Sequence, residues 1–237
     1  SQAYEGVSVL SGVTASLKGY ARIGVVGTSG SGKSTLLRLL AGLEDPAAGA
    51  FVLDGRDTLT TLRYESWEEQ VAYIPQDPTI FHASLRENLT FYNPQASDEH
   101  LHAVIEKLGL SELLVQLPQG LDTLIGEGAR GLSGGQAQRI ALARVVLDER
   151  KRIILFDEPT AHLDIETEME LKQAMVEVMQ ERLVVFATHR LHWLDTLDYL
   201  LVLEEGKLVE QGTTTQLLES TTHFVTLVRA LRGGEAA

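Results

Sequence analysis

Short apolar runs punctuated by glycine open the chain: Val7–Leu10, then residues 13–17, then Arg22–Val26, which ends at Gly27. The last run is continuous and β-branched, the pattern of a strand buried on both faces. After a glycine-rich loop, residues 34–40 have helical composition and stop near Gly42, a fitting C-terminal cap. Phe51–Leu53 followed by Asp54-Gly55 predicts a hairpin, and Val71–Ile74 predicts another strand, ended by Pro75. From about residue 85 to 147 the pattern becomes helical and polar, with helical spacing over 100–108 and 111–117 and turn signals at Pro94, Pro118 and Gly120. This predicts a helical subdomain, 85–147, inserted between strands. Strand composition returns at 153–156, Leu183–Thr188 and 199–203, with a helix over 166–180 between the first two. Such alternation implies an α/β fold with a mostly parallel sheet.

Composition narrows the function classes. The 237 residues are 44% hydrophobic and 22% charged, as in an ordinary globular domain. No apolar stretch approaches the ~20 residues of a membrane-spanning helix. The start, Ser1-Gln2-Ala3, lacks both an initiator Met and a signal sequence, so a domain cut from a longer polypeptide is expected. Zero cysteines leave no disulfide or thiolate metal site, and a net charge of -13 without a basic run argues against nucleic-acid binding.

Gly27-Thr28-Ser29-Gly30-Ser31-Gly32-Lys33-Ser34, followed by Thr35, fits G-x-x-x-x-G-K-[ST] between a buried strand and a helix. Glycines let successive N–H groups turn inward, and the helix N-terminus adds its positive end, so the loop can cradle phosphates. Lys33 would supply a charge to the β and γ oxygens of a bound nucleotide, and Ser34 would ligate Mg²⁺. The run 153–158 ends in Asp157 and Glu158, at the strand end where ligands bind in open α/β sheets. Asp157 would hold Mg²⁺ and Glu158 would take the proton of the attacking water. To this point a kinase or a GTPase fits equally well.

Leu132-Ser133-Gly134-Gly135-Gln136 resembles the signature of ABC-type ATPases, and the resemblance extends over essentially the whole chain. It implies a P-loop NTPase of the ABC type forming one domain, 1–237, with an antiparallel β subdomain beside the parallel core. It further implies that Tyr4 stacks on adenine, that Gln76 in Ile74-Pro75-Gln76-Asp77 senses Mg²⁺ and faces a membrane domain, that Asp164 communicates between subunits, and that His189 contacts the γ-phosphate. Ser133, Gly134, Gly135 and Gln136 would complete the ATP pocket of an opposing subunit, while Ser133 also serves as a helix cap ahead of a helix over 138–147. His162 stands where relatives often carry a small or polar residue. The remaining histidines, together with Trp67 and Trp193, read as surface or packing residues.

The stretch 76–88 resembles ABC exporters, whose ATPase follows membrane helices in the same chain, and Gly126-Glu127-Gly128 resembles the exporter loop that touches them. The apolar Phe81 and Leu85 would either receive a helix of the membrane domain or pack the helical subdomain. Over its length the chain resembles exporters of thiol reductants such as cysteine or glutathione. Exporters of lipids or drugs, or a soluble ABC ATPase, are the alternatives; a DNA-repair type would need a long coiled coil in the about 100 residues between loop and signature, and no sustained heptads occur there. The resemblance places the domain at the cytoplasmic face of a membrane, paired with a second ABC domain, identical or not, and with a membrane domain fused ahead of it.

Overall fold

A computed structural model describes residues 1–19, 21–126, 131–219 and 223–234. The strands run, in chain order, β1 Gln2–Tyr4, β2 Val7–Leu10, β3 Arg22–Val26, β4 Phe51–Leu53, β5 Asp57–Leu59, β6 Val71–Ile74, β7 Ala83–Ser84, β8 Leu124–Ile125, β9 Ile153–Asp157, β10 Leu183–Thr188, β11 Tyr199–Glu204 and β12 Lys207–Gly212. The helices are α1 Lys33–Leu40, α2 Glu65–Glu68, α3 Leu85–Leu89, α4 Asp98–Lys107, α5 Ser111–Gln116, α6 Gly134–Val146, α7 Ile165–Val178, α8 Thr214–Glu219 and α9 His223–Gly234. Two compact units divide the chain. One comprises Ser1–Tyr73, Arg152–Glu158 and Glu181–Ala237, and the other Ile74–Lys151 and Pro159–Gln180.

The first unit is built on a sheet of order β12-β11-β3-β10-β9-β6. β10 pairs in parallel with β3 and β9, and β11 pairs in parallel with β3 and antiparallel with β12. Strict alternation divides the central strands between two cores. Ile23, Val25, Leu155, Val185 and Ala187 pack with Leu37 and Leu39 of α1, whereas Phe156 and Phe186, paired in register, stack with the fully buried Trp193. Burial on both faces is why these strands read as continuous apolar runs.

Three hairpins turn on an acidic residue followed by glycine, both at positive φ: Glu5-Gly6 (48° and 82°), Asp54-Gly55 (51° and 67°) and Glu205-Gly206 (47° and 76°). Two-residue turns of this hand match the twist of the flanking strands. Only the Asp-Gly pair carries the familiar hairpin signal, so β1 and β12 escaped the sequence reading. At Gly206 a Cβ would also lie 2.2 Å from the Val9 carbonyl oxygen, so glycine is required there by contact as well as by φ.

Residues 13–17, expected as a β-like run, belong to no strand. Val13 and Leu17 pack on the core edge without sheet pairing; apolar alternation reports burial, and a loop laid over a core alternates too.

In the second unit α6 packs against α3, α4 and α7. Leu89, Leu101, Ile105, Ile140 and Leu142 are buried there. The short pair β7–β8 joins this unit as well. α6 starts at Gly134, four residues earlier than expected, because Ser133 and Gln136 close a capping box around two residues of poor helix propensity. Among the described residues no helix is long and apolar enough to cross a membrane.

Candidate ATP site

The sequence of the phosphate loop dictates an unusual helix start. Gly32, the residue before α1, sits at φ 99°, a conformation open to glycine, and supplies no side-chain cap. The first N–H groups of α1 are therefore free of a side-chain cap, the condition under which a helix N-terminus receives an anion. Ser31 Oγ in the same loop is buried and has no protein partner among the described residues. A β-carbon on Gly27 would fall 2.3 Å from the Leu203 carbonyl oxygen and 2.5 Å from Ser31 Oγ, so only glycine fits where β3 enters the loop.

Lys33 is 4% exposed, and its Nζ donates to the carbonyls of Gly27 and Thr28, each at 3.0 Å. It also pairs with Glu158 Oε1 at 3.1 Å. The other oxygen of Glu158 accepts from His189 Nδ1 at 2.8 Å, so one carboxylate bridges a lysine and a histidine. Because a carboxylate only accepts, Nδ1 carries the proton and Nε2 faces away from this bond. Glu158 itself has φ 48°, and its N–H donates to Ala187 O at 3.1 Å. A left-handed non-glycine residue costs about 1–2 kcal/mol, and such strain concentrates at functional sites.

Ser34 Oγ donates to Asp157 Oδ1 at 2.8 Å. The other oxygen, Oδ2, accepts from the Tyr73 hydroxyl at 2.7 Å. Burial, reinforced by that bond, pushes the Tyr73 hydroxyl well above the ordinary range, so it remains a neutral donor. Tyr73 was not among the sequence candidates. Its signal was available: a tyrosine inside a buried strand needs a partner for its hydroxyl. Serine hydroxyl and carboxylate are hard oxygen donors, the set that Mg²⁺ takes, so the residues present fit that ion.

Tyr4 is held by a separate set of side-chain bonds. Its hydroxyl donates to Glu44 and accepts from Arg38 Nη2 at 3.4 Å, and Arg38 Nε pairs with Glu44 at 2.9 Å. The residue is 37% exposed.

The second unit holds the remaining candidates. Ser133 Oγ accepts from the Gln136 N–H at 3.2 Å while Gln136 Oε1 accepts from the Ser133 N–H at 3.0 Å. Gly134 and Gly135 form the first turn of α6 rather than preceding the helix. A Cβ on Gly135 would lie 2.6 Å from Thr167 Cγ2, and one on Gly134 3.0 Å from Leu163 Cδ2, so both glycines admit the neighbouring segment. Asp164 caps α7 by accepting from the Thr167 N–H at 2.9 Å, a bond that holds its carboxyl below the usual range. Gln76 donates through Nε2 to His162. Leu85 is fully buried, so it is a packing residue and offers nothing to a partner; Phe81, 39% exposed, stacks on Phe91 with the Arg144 guanidinium over both rings. Leu85 sits on the inner face of a one-turn helix whose position the polar flanks concealed. Glu127 lies outside the described residues.

Comparison with known proteins agrees with this chemistry. The family model described as ABC transporter matches residues 10–161. The chain is 47% identical over 234 residues to the glutathione/L-cysteine transport system ATP-binding/permease protein CydC of Bacillus subtilis, covering 98% of this chain and 41% of that protein. It is 39% identical over 214 residues to the human mitochondrial iron-sulfur clusters transporter ABCB7, covering 90% of this chain and 28% of the relative. The structure of a bacterial Atm1-family ABC exporter with ATP bound superposes with TM-score 0.82 at 32% identity, over 94% of this chain and 39% of that one. The chain thus spans less than half the length of these relatives. With a phosphate loop, a strand-end carboxylate pair and the ABC signature in one sequence, and a family match over residues 10–161, the chain belongs to the ABC transporter family, as an ATP-binding domain.

Proposed function

We propose that the chain is the ATP-hydrolysing motor of an ABC exporter, a single domain (1–237) carrying a helical subdomain (85–147), which works as one of two such domains paired head to tail at the cytoplasmic face of a membrane. The observation that carries the reading is the Glu158 carboxylate, held between Lys33 and His189 and beside the Ser34–Asp157 pair. Lys33 would exchange its two carbonyl partners for the β- and γ-phosphate oxygens of ATP. Ser34 and Asp157, with Gln76, would hold Mg²⁺, which supplies charge neutralisation to the phosphates. Glu158 is the proton acceptor for the attacking water, and His189 orients the γ-phosphate through Nε2. Tyr4 would stack on adenine, and Thr28, Ser29, Gly30, Ser31 and Thr35 would complete the phosphate cradle.

Ser133, Gly134, Gly135 and Gln136 would close over the nucleotide of the opposing domain, so that ATP joins two surfaces that bind weakly alone. The glutathione/L-cysteine system of Bacillus subtilis supports a thiol reductant as cargo, which a membrane domain in the same polypeptide would select. The test is Glu158→Gln, followed by ATP binding and phosphate release. ATP binding is retained while turnover falls at least ~100-fold, because the proton acceptor is lost and the phosphate contacts are not. Near-normal turnover would remove Glu158 from that role.

A further inference from the structure

We propose that His162 positions the Gln76 carboxamide through a hydrogen-bonded chain, Asp77–His162–Gln76, leaving the Gln76 oxygen for the cation. Nδ1 of His162 lies 3.0 Å from Asp77 Oδ1, and Nε2 lies 2.7 Å from Gln76 Nε2. A carboxylate only accepts and an amide nitrogen only donates. Both contacts are satisfied at once by the neutral imidazole whose proton sits on Nδ1. With its NH₂ group committed to the ring, Gln76 keeps Oε1 for another partner, and an amide carbonyl oxygen is a donor that hard cations take.

The main chain of Gln76 is secured separately. Gln138 of α6, 3% exposed, donates from Nε2 to the Gln76 carbonyl at 2.9 Å and to the Pro75 carbonyl at 3.4 Å. One residue of the signature helix thus anchors the backbone, and one residue of the segment between β9 and α7 orients the side chain. His162 and Asp77 have side chains 60% and 79% exposed, so their bonds add little to folding. Their loss costs orientation and leaves the fold intact. The cation half of the proposal rests on the reading of Gln76 given above, whereas the hydrogen-bonded chain stands independently of it.

Two readouts test the proposal. In ¹⁵N–¹H spectra the Gln76 side-chain NH₂ pair, assigned by its disappearance in Gln76→Ala, is displaced from the ordinary glutamine position and returns to it in His162→Ala, while the His162 ring nitrogens report the Nδ1–H tautomer. With Mn²⁺ as the probe on the ATP-loaded chain carrying Glu158→Gln, His162→Ala weakens metal affinity about threefold to tenfold, the scale of one lost hydrogen bond, and His162→Gln, which keeps an acceptor and a donor, restores part of it. A Gln76 NH₂ signal unmoved by His162→Ala overturns the proposal. An affinity that falls in Gln76→Ala but not in His162→Ala removes His162 alone, whereas an affinity indifferent to both removes the cation role of Gln76 and this proposal with it.

Discussion

Two helix N-termini carry the family's characteristic glycines, and they are built in opposite ways. At α1 the flanking Gly32 gives no side-chain cap, and the charged groups nearby are buried or nearly so, with Lys33 4% and Asp157 6% exposed. At α6 a full capping box engages Ser133 and Gln136 with each other, and the neighbouring polar groups of Gln76, Asp77 and His162 are bonded locally near the surface. Burying a charge is costly unless strong partners meet it. The first region therefore meets its buried charges with strong partners of its own, which phosphates would replace, whereas the second satisfies its polar groups locally and presents the start of α6 at a more exposed surface. The contrast suits the two roles proposed for them, a binding site and a closing face.

Predictions that would break this contrast follow from the largest effect to the smallest. Lys33→Ala lowers ATP affinity about tenfold to a hundredfold, the scale of hydrogen bonds to a charged group; a nucleotide titration that shows unchanged affinity contradicts the role of the loop. Gly135→Ala acts on stability instead. Its methyl meets Thr167 Cγ2 at 2.6 Å, an overpacking cost of about 1–3 kcal/mol that exceeds the about 1 kcal/mol gained in helix propensity. Thermal unfolding should move down by several degrees while binding of ATP to the monomer stays as before; a rise in melting temperature would show that the glycine is not held there by packing.

The smallest effect belongs to the ion pair of Arg22 with Asp198, bonded at 2.6 Å between Nη2 and Oδ1. The hydrogen bond from the Arg22 side chain outweighs burial, which acts the other way, and holds the Asp198 carboxyl below its usual range. A depressed folded-state value stabilises the fold above the unfolded value and loses that contribution as pH falls through the folded one. Asp198→Asn should thus cost under about 1 kcal/mol at neutral pH, as exposed pairs do, and the difference from the parent chain should vanish in acid. Denaturant melts at two pH values decide it, and a difference that grows in acid contradicts the sign.

Much of the first region is legible in the amino-acid sequence. Continuous β-branched apolar runs of strand length, one of them leading into a glycine-rich loop, read as doubly buried strands, which is why Arg22–Val26, Leu183–Thr188 and the phosphate loop stand out. What escaped depended on geometry that residue types do not report. The positive φ of Glu158 is one such feature, and the Tyr73 bond to Asp157 is another. The second region was less legible, because its side chains act through local bonds. Asp164 as a cap depends on where α7 begins, while Gly134 and Gly135 as contact residues inside α6 and His162 between Asp77 and Gln76 depend on which segments lie side by side. Leu85 shows the same limit from the apolar side, since one leucine in a polar stretch does not reveal whether it turns inward.

The central claim is that ATP bound at the first region of one chain is closed over by the second region of another. Sedimentation of the Glu158→Gln chain, with and without ATP and Mg²⁺, tests it most directly, because slowed turnover keeps the sandwiched nucleotide in place. The account predicts monomer without nucleotide and, without membrane domains to hold the pair, a weak dimer populated only with ATP. A tight dimer in the absence of nucleotide, or a monomer at saturating ATP, would contradict it.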